Sequence, residues 1–150
     1  MIDLLLTVHV LAAVIWVGGS ITILSLGYYL RSRDIDTRVE YTRWTEWLAP
    51  RIFAPASIGV IVAGPLLVDE IGYEFNEPWI HVGFLGWFIS FAIGVGFYGR
   101  EGKKREQLIE QHGPEHESVS ASVNRVLRVA TIDTLVITLV VIDMTIKPGL

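Results

Sequence analysis

Charged side chains are not spread evenly along this chain. Residues 4–30 hold no Asp, Glu, Lys or Arg, and neither do 52–68 or 78–99. In 129–146 the only such residues are Asp133 and Asp143. A helix that crosses a bilayer needs roughly 17–25 apolar residues, and each of these segments reaches that length. The pattern predicts four membrane-spanning helices, over about 2–31, 48–68, 78–100 and 125–146, in one domain covering 1–150. Antiparallel neighbours in chain order are the simplest packing. The fold class expected is therefore all-α: an integral membrane up-down four-helix bundle.

Punctuation within the segments refines this picture. Gly18-Gly19 falls at the middle of the first helix and either packs closely against a neighbour or loosens the helix there. Pro55 and Pro65 bend the second, because proline removes a backbone donor. Gly59 and Ala63 form a small-xxx-small pair on the same helix. Pro78 suits the first turn of the third helix. Gly86, Ser90 and Gly94 recur every fourth residue and leave a smooth stripe for close helix approach, either inside the bundle or in a homo-oligomer. The third helix is expected to extend from Arg100 to Gln111, until His112-Gly113-Pro114 breaks it. Lys147-Pro148-Gly149 stops the fourth.

Charge sets the orientation. Between the first and second helices lie Arg31, Arg33, Arg38, Arg43 and Arg51. Between the third and fourth lie Arg100, Lys103, Lys104, Arg105, Arg125 and Arg128. The remaining loop holds Asp69, Glu70, Glu74 and Glu77 and no basic residue. The positive-inside rule then places both termini outside, N-out/C-out, in a multi-pass cell membrane protein of the prokaryotic plasma-membrane kind. The first segment has no basic residues before it and no small-residue cleavage pattern, so it is expected to be a retained helix. Trp44 and Trp47 suit an interfacial belt.

Composition narrows the chemistry. With no cysteine, the chain has no disulfides, thiolate metal sites, iron–sulfur clusters or covalent haem attachment. Two methionines supply a soft copper(I) site poorly. No phosphate loop, dinucleotide fingerprint or nucleic-acid motif is present, and no nucleic-acid partner is expected.

Ionisable residues inside a membrane are costly, which makes each a functional candidate. Four qualify: His9, His81, Asp133 and Asp143. His9 lies about two turns into the first helix and shares a face with Ala13, Trp16 and Ser20. An imidazole flanked by Ala12 and Ala13 leaves room for a flat macrocycle, and bundle histidines of this kind hold haem iron. The bland alternative is a histidine hydrogen-bonded to a neighbouring helix. His81 is a candidate second ligand or propionate contact, but the reading as an interfacial histidine beside Trp79 is favoured over ligation. Asp143 is a candidate acceptor for a ligating histidine, or a carboxylate paired with Lys147 four residues on. Asp133 reads as an ion-pair partner of Arg125 or Arg128, or as a proton-moving group. His112 and His116, with Gly113-Pro114 between them, read as solvated loop histidines.

The stretch His9-Val10-Leu11-Ala12-Ala13-Val14-Ile15-Trp16-Val17-Gly18-Gly19 resembles the opening of small four-helix membrane proteins. These include CopD-like copper-resistance domains, HemJ-type protoporphyrinogen oxidases and a related uncharacterised family of predicted integral membrane proteins. Trp79-Ile80-His81 looks like the start of their third helix, and Asp143-Met144-Thr145-Ile146-Lys147-Pro148 is most similar to the uncharacterised family. The resemblance implies haem b held near His9, because HemJ-type proteins bind haem through a histidine in that motif. Among the residues themselves, His9, Ala13, Trp16, His81 and Asp143 are the candidate cofactor contacts, with His9 as an iron ligand and His81 or a weak ligand opposite. HemJ-type proteins carry a lysine two residues after the third-helix histidine; here that residue is Gly83.

These readings favour a haem-binding membrane redox protein, transferring electrons or oxidising a small substrate near the outer face. A small transporter or channel lined by Asp133, Asp143 and His9 is one alternative. A non-catalytic membrane partner docking through the Gly86/Ser90/Gly94 face is the other.

Overall fold

The computed structural model describes residues 1–148; the expected stop at Gly149 lies outside them. Four long helices carry the fold: α1 (Ile2–Ser32), α2 (Ile35–Ile71), α3 (Pro78–His112) and α4 (Glu117–Ile146). All four are long and apolar enough to cross a membrane, and the described residues contain no strand. The expected all-α bundle of four spans is thus borne out. Helices satisfy every backbone group internally, which a hydrocarbon environment demands.

Capping sets the helix ends. Asp34 starts α2 by accepting from the Thr37 backbone N–H at 2.8 Å. That bond, a second from the Thr37 hydroxyl at 2.8 Å and the nearby Arg33 hold its carboxyl below the usual range. Gly72 ends α2 in the left-handed region, with φ 87°. Pro78 opens α3 behind Glu77. Gly113, at φ 82°, turns the chain from α3 toward α4.

The helices run further than the apolar segments. At a rise of about 1.5 Å per residue, the 37 residues of α2 and 35 of α3 span about 55 Å and 52 Å. A hydrocarbon core is only about 30 Å thick. The excess lies at the end with the basic loops. There the first part of α2 (Ile35–Leu48), the last part of α3 (Gly99–His112) and the start of α4 form a three-helix cap. Val39, Val119 and Val123 are its core, with Ile35, Leu108 and Ile109 packed against them.

Within the membrane part the bundle is built from two tight antiparallel pairs. The seam of α1 with α2 runs Gly19–Phe53, Trp16–Ala56, Ala12–Gly59 and His9–Gly64. A side chain at Gly19 would come within 2.6 Å of the Phe53 ring, so this glycine permits close packing. The seam of α3 with α4 places Gly83 against Met144 and Gly86 against Val140. Trp16, Ala56 and Ile137 form the central layer, joined by Val17, Phe53, Val60 and Trp87, so all four helices meet there. Trp87 Nε1 also donates to the Ser57 carbonyl at 3.0 Å. Wide helical turns interrupt α1 at Val14–Gly18, α2 at Ala49–Phe53 and α3 at Gly94–Tyr98. Gly18 lies in the first of these, so the Gly18-Gly19 pair both loosens the helix and packs closely. Large apolar side chains such as Leu4, Leu11, Val14, Leu85, Phe88 and Leu139 face outward, where lipid would cover them.

Candidate functional site

His9 sits in the α1–α2 seam, half-buried. Its Nδ1 lies 3.2 Å from the Val60 carbonyl oxygen. A carbonyl only accepts, so Nδ1 carries the proton and donates, and the lone pair stays on Nε2. Gly64 makes this fit possible. A Cβ there would stand 3.1 Å from the His9 ring. The orienting acceptor is therefore a backbone carbonyl and not Asp143. Ala12 is buried against Gly59, and Ala13 is half-buried beside it. Trp16 belongs to the central layer.

The other candidates are placed differently. His81 is on the exposed face of α3. Asp143 has Oδ2 buried without a hydrogen-bond partner. Among the described residues it forms no ion pair with Lys147. The Lys147 ammonium instead donates to the Tyr73 hydroxyl at 2.8 Å and lies 4.5 Å and 5.3 Å from the Tyr73 and Trp79 ring centres. Asp133 also lacks an ion-pair partner among the described residues. Arg125, one of the cations expected to pair with it, binds Glu101 at 3.2 Å. The Asp133 Oδ1 is buried without a hydrogen-bond partner.

His112 and His116 stack at 4.7 Å, both exposed, and His116 caps α4 by accepting from the Ser118 N–H. No group of three or more His, Asp or Glu side chains converges as a metal site among the described residues. The Gly86/Ser90/Gly94 stripe divides. Gly86 and Ser90 are buried against the chain's own α4, while a side chain at Gly94 would meet open space.

Sequence reasoning passed over Val60 and Gly64, the residues that orient His9. Gly64 had a weak signal, a second small residue five after Gly59; a backbone carbonyl has none. Sequence reasoning counted Arg105 only among the basic loop charges, whereas its side chain is fully buried in the cap and bonds both Glu46 oxygens, at 2.9 Å and 3.0 Å. Nearby, Arg43 makes a two-pronged contact with Glu106, at 3.0 Å and 2.7 Å. That contact, chiefly, holds the Glu106 carboxyl below its ordinary range.

No curated protein and no solved structure matches the chain. A family model described as predicted integral membrane protein, DUF2269, matches residues 3–148. Four apolar spans and a match over nearly the full length agree: the chain belongs to this family of predicted integral membrane proteins.

Proposed function

We propose that this membrane protein binds haem b through His9 and serves redox chemistry in the half of the bundle that carries the acidic loop. The observation that carries the reading is the His9–Val60 hydrogen bond. A ligating histidine needs one nitrogen held by an acceptor and the other free. His9 meets that requirement, and Gly64 on α2 lets its ring pack close against that helix. The likeness of the His9–Gly19 stretch to HemJ-type proteins, which bind haem through a histidine in that motif, supports the same reading.

Bound there, haem would supply one-electron transfer. The chain's own residues do the rest. Val60 fixes the imidazole orientation and Gly64 admits the ring. Ala13 presents a small surface on the same helix face. Trp16 and Trp87 close the central layer and keep water from the basic end away from the site. His81, exposed on α3, is suited to a propionate or other polar group at the membrane boundary, and Asp143 is a further polar contact in this half. Protoporphyrinogen oxidation is not proposed. Where HemJ-type proteins carry a lysine, Met144 fills the space beside Gly83.

The test is a visible spectrum of the detergent-purified protein, oxidised and then dithionite-reduced. A Soret band with reduced α and β bands is expected, and its loss in His9→Ala while the protein still inserts. With one histidine as the strong ligand, the reduced protein is expected to bind carbon monoxide. Unchanged haem content in His9→Ala would sink the proposal.

A further inference from the structure

The arginines at the basic end fall into two sets. Arg43, Arg105 and Arg125 take Glu40, Glu46, Glu101 and Glu106 as ion-pair partners in the cap. Arg51 of α2, Arg100 of α3 and Arg128 of α4 are exposed, and none has a carboxylate within 4.0 Å among the described residues. The glutamates on the same stretches of α2 and α3, Glu46 and Glu101, are committed to the first set.

The second set shares a depth. Arg51 immediately precedes the charge-free residues 52–68, and Arg100 immediately follows 78–99. Arg128 immediately precedes 129–146, the apolar part of α4. Contact across the helices keeps these ends level. Glu101 of α3 meets Arg125 of α4 at 3.2 Å, and Gly102 of α3 packs on the Glu46 carboxylate of α2. Arg51, Arg100 and Arg128 then lie within about 8 Å of one another along the bundle axis, a spread that arginine side chains can cover by snorkelling. Arg51 is also held in place. Its guanidinium lies 4.4 Å from the ring centre of Trp47, and Nη1 donates to the Trp47 carbonyl at 2.7 Å. That leaves the Nε–Nη2 edge without a protein partner among the described residues. A guanidinium edge of this kind fits two oxygens of one phosphate.

We propose that Arg51, Arg100 and Arg128 form a collar that binds the phosphates of anionic phospholipids, and so selects phosphatidylglycerol-type lipids over zwitterionic ones in the leaflet at the basic end. The surface above the collar favours a lipid over a free anion. Ile132 and Leu135 continue the Arg128 face of α4 into the membrane and are exposed, as are Ile52 beside Arg51 and Val95 above Arg100. A phosphate held by the collar therefore has apolar helix surface directly above it for its acyl chains. Lys103 and Lys104, exposed on α3 just below Arg100, add positive charge at headgroup level. The collar needs no haem and stands apart from the His9 reading.

Lipid retention tests it. The protein is extracted in mild detergent from vesicles of equal parts phosphatidylglycerol and phosphatidylcholine, purified, and its retained lipid quantified by mass spectrometry. Phosphatidylglycerol should be enriched roughly fivefold or more over phosphatidylcholine. The ratio should fall toward one when Arg51→Gln, Arg100→Gln and Arg128→Gln are combined. Equal retention of the two lipids by the wild type would overturn the proposal, and so would an undiminished ratio in the triple variant. A wash with inorganic phosphate should lower the ratio no more than chloride of equal ionic strength. Loss in phosphate alone would mark sites for a free anion and overturn the lipid reading. If circular dichroism finds the triple variant unfolded, the single variants decide: at least one should lower the ratio, and no change in any of the three would refute the collar.

Discussion

Gly86 and Gly94 belong to one sequence stripe, and the bundle treats them in opposite ways. A side chain at Gly86 would overlap Val140, whereas one at Gly94 would meet nothing within 4 Å. Overpacking of a filled seam costs about 1–3 kcal/mol, while a substitution facing open space stays within about 0.5 kcal/mol. Gly86→Ala is therefore expected to lower the unfolding midpoint in detergent clearly, and Gly94→Ala to leave it almost unmoved. Equal effects would mean that the α3–α4 seam is not packed as described. The same lesson holds at His9. Its costly position in an apolar helix was legible from residue type alone. Its hydrogen bond was not, because the partner is the Val60 carbonyl, and a backbone atom leaves no mark in a sequence.

At the scale of elements, the cap is where helices outrun the membrane. Its charges pair across helices, and spacing along one helix does not foretell that. Arg105 is fully buried and holds Glu46 at 2.9 Å but Glu106 only at 3.6 Å, while Arg43 and Glu106 pair on the surface. Removing one partner of a buried pair costs about 3 kcal/mol or more, and an exposed pair contributes less than about 1 kcal/mol. Glu46→Gln should thus destabilise the protein strongly in thermal unfolding, and Glu106→Gln only slightly. The Glu106 carboxyl is depressed in the fold. Its contribution is accordingly complete above the ordinary glutamate value of 4.5 and is lost as pH falls below it. In Glu106→Gln that acid-dependent part of the loss should be missing, as a pH series of unfolding midpoints would reveal.

For the whole molecule, the charge of the loops predicts which end faces inward. The chain has no native cysteine, so single cysteines report topology cleanly. Glu74→Cys is expected to react with a membrane-impermeant maleimide on intact cells, and Lys104→Cys only after permeabilisation. The reverse pattern would invert the bundle. By itself the sequence determined the four spans, their order, the segregation of charge and the short list of costly polar residues. These follow from the dehydration cost of polar groups in hydrocarbon, which acts on each segment separately. Tertiary structure alone decided what each residue faces. It put His9 against Val60, gave Arg125 to Glu101 in place of Asp133, and gave Lys147 to Tyr73 and Trp79 in place of Asp143. Helix rotation and register set those pairings, and they are fixed by packing at glycine seams such as Gly59–Ala12 and Gly86–Val140 between segments far apart in the chain.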